Sequence, residues 1–192
     1  MPVSMRASYP IQMFRALRSA WPAAAVLAAG AGLAGCANTN GQKFAPACPQ
    51  TGILRDGSDL TRFRSTGTDL TDMVIDGRIT GLSGKCALDD PTHLRTSISV
   101  AMDLTRGPAA LGRQADVTYF ISVSKGQAIL DKADYTFTVN FPRNGDRQGL
   151  RGEQIDLVLP IDAKTTGADY RILVGFQLTP EQLAFNRRRG PR

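Results

Sequence analysis

The sequence is poor in the side chains on which many catalytic sites depend. His93 is its only histidine, and alternation places that side chain out of phase with Leu94, on the solvent face of a strand. There is no G-x-S-x-G nucleophile motif, no phosphate-binding loop and no G-x-G-x-x-G among the glycines. Aromatic residues make up only 7% of the chain, which leaves few rings for a sugar-stacking cleft. These absences favour a function without catalytic residues and without a cofactor.

Acidic residues are grouped in two places, but their spacing is not that of a metal site. Asp69, Asp72 and Asp76 are followed by Asp89 and Asp90, without the spacing of an EF-hand or a repeated glycine-aspartate pattern. Capping of turns explains them better than calcium binding does. Paired carboxylates for glycoside hydrolysis stay open as an alternative, because a sequence does not fix the distance between two carboxyl groups.

No acidic residue precedes Asp56, and the start of the chain has the layout of a secretory signal. Residues 23–34 form an uncharged run of mostly Ala, Val, Leu and Gly. Three basic residues lie ahead of this run, namely Arg6, Arg15 and Arg18. About a dozen apolar residues are too few for a spanning helix, which needs roughly 20. The sequence therefore predicts a signal peptide over residues 1–35. A translation start at Met13 or Met5 is a further expectation, and the signal would then begin at that methionine.

The predicted signal ends in Leu33-Ala34-Gly35-Cys36, which resembles the lipobox of bacterial lipoproteins. Leu33 would be the apolar contact for the membrane-embedded peptidase, and the small Ala34 and Gly35 would leave its active site unobstructed. The Cys36 thiol would take a diacylglyceryl group as a thioether, and two acyl chains already give stable anchoring. The alternative is a buried cysteine in an ordinary signal helix. Ala37 follows in place of the aspartate that tends to retain lipoproteins in the inner membrane, so the resemblance implies the inner leaflet of the outer membrane.

Two cysteines remain after Cys36, and they predict a disulfide. Cys48 and Cys86 form an even pair in a chain that is expected to be secreted. The bond would close a loop of roughly 40 residues and contribute about 4 kcal/mol in the chain-entropy model. Metal binding is the alternative, but two thiols without clustered histidines are too few ligands. Residues 36–47 are mostly Asn, Thr, Gly, Gln and Pro after the cysteine, which predicts a lipidated flexible tether.

After the tether, apolar residues alternate with polar ones, as they do in half-buried strands. Strands are predicted over 73–80, 82–88, 92–105, 117–123, 129–141, 155–159 and 170–176. In the fifth of these, Ile129 should share a face with Tyr135 and Phe137. Turn residues separate the strands, and helical periodicity is absent until the end. Seven or eight strands at this spacing predict an all-β domain over 48–186, an antiparallel immunoglobulin-like β-sandwich.

Two local signals refine the end of this domain. Tyr170 opens the last strong strand in a context that resembles the tyrosine corner of immunoglobulin-like sandwiches, where the phenol bonds back to the upstream backbone. The stretch 179–182, Thr-Pro-Glu-Gln, has the spacing of a capping box with proline at the first helical position. A short C-terminal helix should therefore follow, with Leu183 and Phe185 packed on the sandwich.

Charge is distributed unevenly along the chain. Three of the 23 basic residues precede Cys36 and four lie in a tail at 187–192, so residues 36–186 carry 16 basic and 17 acidic side chains. A nearly neutral body argues against nucleic-acid binding, which requires a basic face. The tail arginines, Arg187, Arg188, Arg189 and Arg192, would either contact an anionic lipid, phosphate or acidic partner or form a disordered solubilising end. The stretch 61–64, Thr-Arg-Phe-Arg, has similar alternatives, and an outward-facing strand edge is favoured over a phosphate contact.

The stretches 48–63, 69–86 and 167–188 resemble a family of Gram-negative envelope lipoproteins to which no activity is assigned. The resemblance covers most of the chain after Cys36 and implies a lipid-anchored protein that faces the periplasm. We predict a non-enzymatic interaction or assembly module, tethered through Cys36, that presents sheet edges to an envelope protein or an anionic surface. The alternatives are a carbohydrate-binding protein or hydrolase that uses surface carboxylates, and a structural link to peptidoglycan.

Overall fold

The computed structural model of the chain describes residues 45–64, 67–190 and 192. Nine strands and one helix follow one another in this part of the chain, which confirms the all-β prediction and the short C-terminal helix. The strands are β1 (Gln50–Ile53), β2 (Asp59–Phe63), β3 (Met73–Asp90), β4 (His93–Arg106), β5 (Gln114–Lys125), β6 (Ala128–Asn140), β7 (Arg147–Arg151), β8 (Ile155–Pro160) and β9 (Tyr170–Phe176), and the helix is α1 (Pro180–Arg189).

The strands form two sheets that share one core. The first sheet has the order β1-β9-β5-β6, with β1 parallel to β9 and the other pairs antiparallel. In the second sheet, β2, β3 and β4 are antiparallel neighbours, and β7 and β8 both pair with the far side of β4. The alternating apolar residues of both sheets belong to a single buried cluster, and four of them at 0% exposure are Leu94, Val100, Val117 and Val174. The two sheets therefore form a sandwich-like arrangement.

β3 is one strand where the sequence predicts two. Gly81 has the features of a turn between 73–80 and 82–88, but β3 passes through it with a register shift between Ile79 and Gly81 relative to β4. Such a β-bulge absorbs an extra residue and bends the strand without ending it. The count of nine strands exceeds the predicted seven or eight because β1, β2 and β7, of four or five residues each, are too short to show a clear alternation.

The predicted alternation of β6 is wrong at its first residues. Ile129 is expected on the core face with Tyr135 and Phe137, but it is 70% exposed. The register with β5 shifts between Val123 and Ser124, so that Ile129 lies opposite Ser124 and the next residue is an extra one. Because directly opposite residues on two strands share a face, the bulge turns Ile129 to the outer face of the sheet.

Tyr170 makes the hydrogen bond that the sequence predicts. Its hydroxyl donates to the Pro160 carbonyl over 2.6 Å, and the residue is only 3% exposed. Tyr170→Phe leaves that carbonyl without its donor, so we expect the free energy of unfolding to fall by about 1 kcal/mol, measured by urea denaturation. Tyr135→Phe is the matched control, since that hydroxyl makes no hydrogen bond to any described residue. Equal midpoints for Tyr170→Phe and the wild type would contradict the expectation.

The helix α1 begins as its capping residues predict. The Thr179 hydroxyl accepts a hydrogen bond from the Gln182 amide over 3.3 Å, and the Gln182 side chain accepts one from the Thr179 amide over 3.0 Å. Proline occupies the first helical position. Phe185 packs edge-on against Phe63 of β2, with ring centroids 5.2 Å apart. The helix continues through Arg189, past the predicted start of the basic tail.

Candidate functional site

β6 is an edge of the four-stranded sheet. It pairs with β5 along its length and with no other strand in the described part of the chain. Its first half carries Asp131, Lys132 and Asp134, and charges on an edge discourage a further strand from pairing. The second half, residues 135–140, reads Tyr-Thr-Phe-Thr-Val-Asn and carries no charge. This half is therefore the part of the edge best suited to accept another strand.

A cleft of about 460 Å³ lies beside this half of β6. The first sheet contributes Tyr119, Tyr135 and Phe137 to its lining, and the second contributes Leu150 and Ile155. The rings contact one another: Tyr119 and Tyr135 stack with centroids 5.4 Å apart, and Phe137 meets Tyr119 edge-on at 6.2 Å. An apolar cleft of this size can receive a small ligand or the side chains of a bound peptide.

The cleft exists because two short strands share one side of β4. β7 ends at Arg151 and β8 begins at Ile155, and the polar residues between them line the cleft. The Gly152 amide still donates to the Val100 carbonyl of β4 over 2.8 Å, so the link stays close to the sheet. A Cβ at Gly152 would lie 3.3 Å from the Tyr119 hydroxyl. Glycine at this position therefore leaves room for the phenol at the edge of the cleft.

The polar side chains that line this cleft are those of Tyr119, Tyr135, Thr136, Arg151, Glu153 and Gln154. Burial raises the pKa of Tyr119, and the neighbouring Tyr135 and Glu153 add to the shift, so the Tyr119 phenol stays protonated. Among the described residues no group accepts a hydrogen bond from it, which leaves this donor for a ligand. Glu153 is the one carboxylate among the described lining residues, whereas glycoside hydrolysis uses two. His93 does not line the cleft.

Cys48 and Cys86 form the predicted disulfide, with Cα atoms 5.8 Å apart. The bond joins the segment before β1 to the second half of β3, so it fixes the first described residues to the opposite sheet. A small cavity of about 180 Å³ lies beside the disulfide. The buried Thr96 hydroxyl, which lines this cavity, has no hydrogen-bond partner among the residues described.

Three of the four predicted tail arginines form ion pairs within the chain. The closest nitrogen–oxygen distances are 2.9 Å for Arg187–Asp56, 3.7 Å for Arg189–Asp59, 2.8 Å for Arg192–Asp59 and 2.9 Å for Arg192–Asp76. Arg188 alone has no ion pair in the described part of the chain. A contact with an anionic partner, as predicted for this segment, would compete with these internal carboxylates at three of its four arginines.

Asp59 is the centre of this cluster and is 5% exposed. Burial alone would raise the pKa of its carboxyl, but the guanidinium groups of Arg78 and Arg192 outweigh burial and hold the pKa below its usual range. Arg78 donates to it over 2.9 Å. The Asn186 side-chain amide also donates to the backbone carbonyls of Asp56 and Asp59, over 3.0 and 2.7 Å. The C-terminal helix is thus held to β2 by polar contacts.

The other predicted residues do not converge on a site. The Asp90 carboxylate accepts from the Thr92 amide over 2.7 Å, and this bond, with the Thr92 hydroxyl and His93, lowers the pKa of Asp90 to about 2. His93 Nδ1 lies 2.9 Å from the same carboxylate at the exposed β3–β4 turn. Arg62 and Arg64 donate to backbone carbonyls of neighbouring segments. Within residues 45–64, 67–190 and 192, no three His, Cys, Asp or Glu residues gather as a metal site.

The predicted lipidation signal, Leu33-Ala34-Gly35-Cys36, lies outside the described residues. In the described ranges no helix is long and apolar enough to cross a membrane. No protein-family model matches the chain, and neither a curated protein nor a solved structure matches it.

The cleft residues were not recognisable as a site from the sequence. Tyr119, Tyr135 and Phe137 fit the alternation of core strands, and nothing in that pattern separates a cleft from a filled core. The one available signal is the polar stretch 151–154, Arg-Gly-Glu-Gln, which interrupts two apolar runs. It indicates a break between two strands but not which rings lie across from it.

Proposed function

We propose that this protein is a lipid-anchored interaction module of the cell envelope, facing the periplasm, which binds an extended segment of a partner protein along residues 135–140 of β6. The observation that supports this most is an uncharged, free strand edge beside an aromatic cleft of about 460 Å³. An added strand gains main-chain hydrogen bonds from an edge, and its alternate side chains enter adjacent pockets. No catalytic step and no cofactor is part of this proposal.

The cleft would provide specificity for the partner segment. An apolar side chain of that segment would pack against Tyr135 and Phe137, and its burial would contribute about 2 kcal/mol. The Tyr119 hydroxyl would donate to a partner carbonyl or side chain, adding roughly 1 kcal/mol for a neutral hydrogen bond. A charged side chain packed against the three rings would lose hydration, so an apolar side chain would be preferred there.

The lipid on Cys36 would confine the module to a membrane surface, in our proposal the inner leaflet of the outer membrane. Confinement raises the effective concentration of a binding site for a partner on the same surface. Weak strand addition, with only a few backbone hydrogen bonds, would then be sufficient for a lasting complex. This is why an anchored module does not need a large interface.

Site-specific crosslinking in intact cells tests this proposal. A photo-crosslinking amino acid at Thr136, on the free half of β6, should capture one partner protein through a segment that alternates apolar and polar residues. Thr80 of β3 is the matched control, since it is also an exposed strand threonine. Adding Thr138→Lys should abolish capture, because a lysine on the edge opposes pairing. Equal capture from both positions, or capture that survives Thr138→Lys, would show that β6 is not the site.

A second candidate is non-catalytic glycan binding in the same cleft. Three aromatic rings gather there with Glu153 and Gln154, although aromatic residues are few in the chain as a whole. Retention of the protein on purified peptidoglycan tests it. Under this candidate Tyr135→Ala should abolish retention while Thr138→Lys should not, since Thr138 does not line the cleft.

We also propose that the two sheets are connected as in immunoglobulin-like domains. The parallel pairing of the first and last strands and the Tyr170–Pro160 hydrogen bond support this arrangement. Superposition of an experimentally determined structure on immunoglobulin domains would test the connectivity strand by strand.

A further inference from the structure

The turn at Gly126 lies at the same end of the fold as the first described residues. The strand register shows this through three neighbouring pairs, Gln50–Arg171, Tyr170–Lys125 and Lys125–Ala128. The segment before β1 is at this end as well. The Ala47 carbonyl lies so close to Gly167 that a Cβ on this glycine would overlap the carbonyl oxygen. We call this the Gly126 end.

Large apolar side chains are exposed at the Gly126 end. Ile129 is 70% exposed and Leu130 is 54% exposed, immediately after the β5–β6 turn. The β-bulge described above places them there, because it removes Ile129 from the core face. Gly126, with a φ of 59°, makes the tight turn that brings these residues to the tip. Two large apolar side chains next to each other at the tip of a hairpin form a small apolar surface that a second phase could cover.

The number of residues between Ala45 and Cys36 limits how far this end can lie from a lipid on Cys36. Nine peptide steps separate Ala45 from Cys36, and an extended chain spans about 3.5 Å per step, so Ala45 stays within roughly 30 Å of a lipid attached to Cys36. We propose that Ile129 and Leu130 insert into the headgroup layer of the membrane that holds the acylated Cys36. The domain then docks on that membrane by its Gly126 end. This inference rests on the lipid anchor of the proposed function.

The charges near the tip favour a zwitterionic phospholipid surface. The two lysines of this hairpin are engaged within the chain: Lys125 donates to the Thr165 hydroxyl over 2.9 Å, and Lys132 pairs with Asp134 at 2.6 Å. Asp131 adds an exposed carboxylate directly after Leu130. No excess of free positive charge is therefore present in this hairpin to attract anionic lipid, and burial of the two apolar side chains provides the attraction.

Depth-dependent tryptophan quenching tests the insertion. Ile129→Trp is compared with Leu111→Trp, each in the lipidated chain that begins at Cys36. Trp21, the one tryptophan of the sequence, is removed with the predicted signal peptide, so each variant carries a single tryptophan. Leu111 is 97% exposed and lies between β4 and β5, at the opposite end of the fold, so it is a matched control. Both proteins are reconstituted into zwitterionic vesicles that contain brominated phospholipid. We expect at least a two-fold loss of emission and a blue shift for Ile129→Trp, and neither change for Leu111→Trp.

The outcomes separate the docking from the anchor. If the protein floats with the vesicles but both tryptophans stay unquenched, the anchor holds and the docking is wrong. If the lipidated protein does not float with the vesicles, both the anchor and the docking are wrong. Quenching that requires anionic lipid and disappears at high salt would overturn apolar insertion in favour of charge attraction. Quenching of Ile129→Trp alone, unchanged by salt, supports the docking.

Discussion

Replacing Cys48 and Cys86 together with alanine should lower the free energy of unfolding by about 4 kcal/mol. The bond joins residues separated by 38 positions, and opening that loop in the unfolded chain adds entropy to the unfolded state. Guanidinium denaturation without reductant measures the loss, and the reduced wild type should match the double variant. All proteins compared carry Cys36→Ala, which leaves no lipid and no third thiol and lies outside the loop. A double variant with the wild-type midpoint would contradict the expectation.

The same substitution should have its largest local effect on β1. β1 is only four residues long and pairs with a single neighbour, the parallel strand β9. Without the disulfide, β1 is held by this short pairing and by the packing of its side chains, such as Ile53, on the core. Amide hydrogen exchange should therefore accelerate in β1 before it accelerates in β9, which is paired on both sides. Uniform acceleration across both strands would mean that the bond stabilises the fold only globally.

Alternation in the sequence predicted the longer strands that bury one face, including the edge strands β6 and β8. In β4, β5 and β9 the alternating apolar residues lie in the core as expected. The bulges were not predictable, because a bulge depends on the register of two strands and not on the composition of one. Gly81 therefore resembled a turn, and Ile129 resembled a core residue, until the pairing with β4 and β5 was known.

The features in and around the candidate site also differ in how far the sequence alone predicts them. The disulfide and the helix cap depend on residue types at short spacing or on a count of cysteines, so the sequence was sufficient for both. The contact of Arg192 with Asp59 spans 133 positions, and no local pattern indicates such a pairing. The cleft depends on β7 and β8 pairing in succession with β4, which only the assembled sheet reveals.

The two proposals place membrane insertion and partner binding at different heights above the membrane. If Ile129 inserts, residues 135–140 lie six to eleven positions further along β6, about 20–35 Å along the strand at the usual rise. The charged residues between them, Asp131, Lys132 and Asp134, would then lie at the level of the lipid headgroups and the water above them. The free half of β6 would stay clear of the lipid and accessible to a partner.

Asp59→Asn should lower the free energy of unfolding at neutral pH by about 2 kcal/mol. The asparagine keeps the size of the side chain but removes the carboxylate that pairs with both Arg78 and Arg192, and Arg192 keeps a second ion pair, with Asp76. Removing one partner from a fully buried ion pair costs about 3–5 kcal/mol, which is roughly twice the loss expected here. The smaller loss follows because the arginine side chains of this cluster are 24–37% exposed and therefore partly screened by water. Asp103→Asn is the control, since Asp103 is exposed and forms no ion pair with a described residue.

The difference in the free energy of unfolding between the wild type and Asp59→Asn should also depend on pH, and it should shrink as the pH falls. The pKa of Asp59 is lower in the folded protein than in the unfolded chain, so the unfolded chain binds the proton more readily and acid favours unfolding. The wild type should hold its full advantage above the ordinary carboxyl pKa of about 3.9 and lose it as the pH falls through the folded value. Denaturation curves of both proteins from neutral pH down to about pH 2 measure this convergence. An advantage that persisted unchanged to the lowest pH would mean that Asp59 stabilises the helix contact by shape and hydrogen bonding rather than by charge.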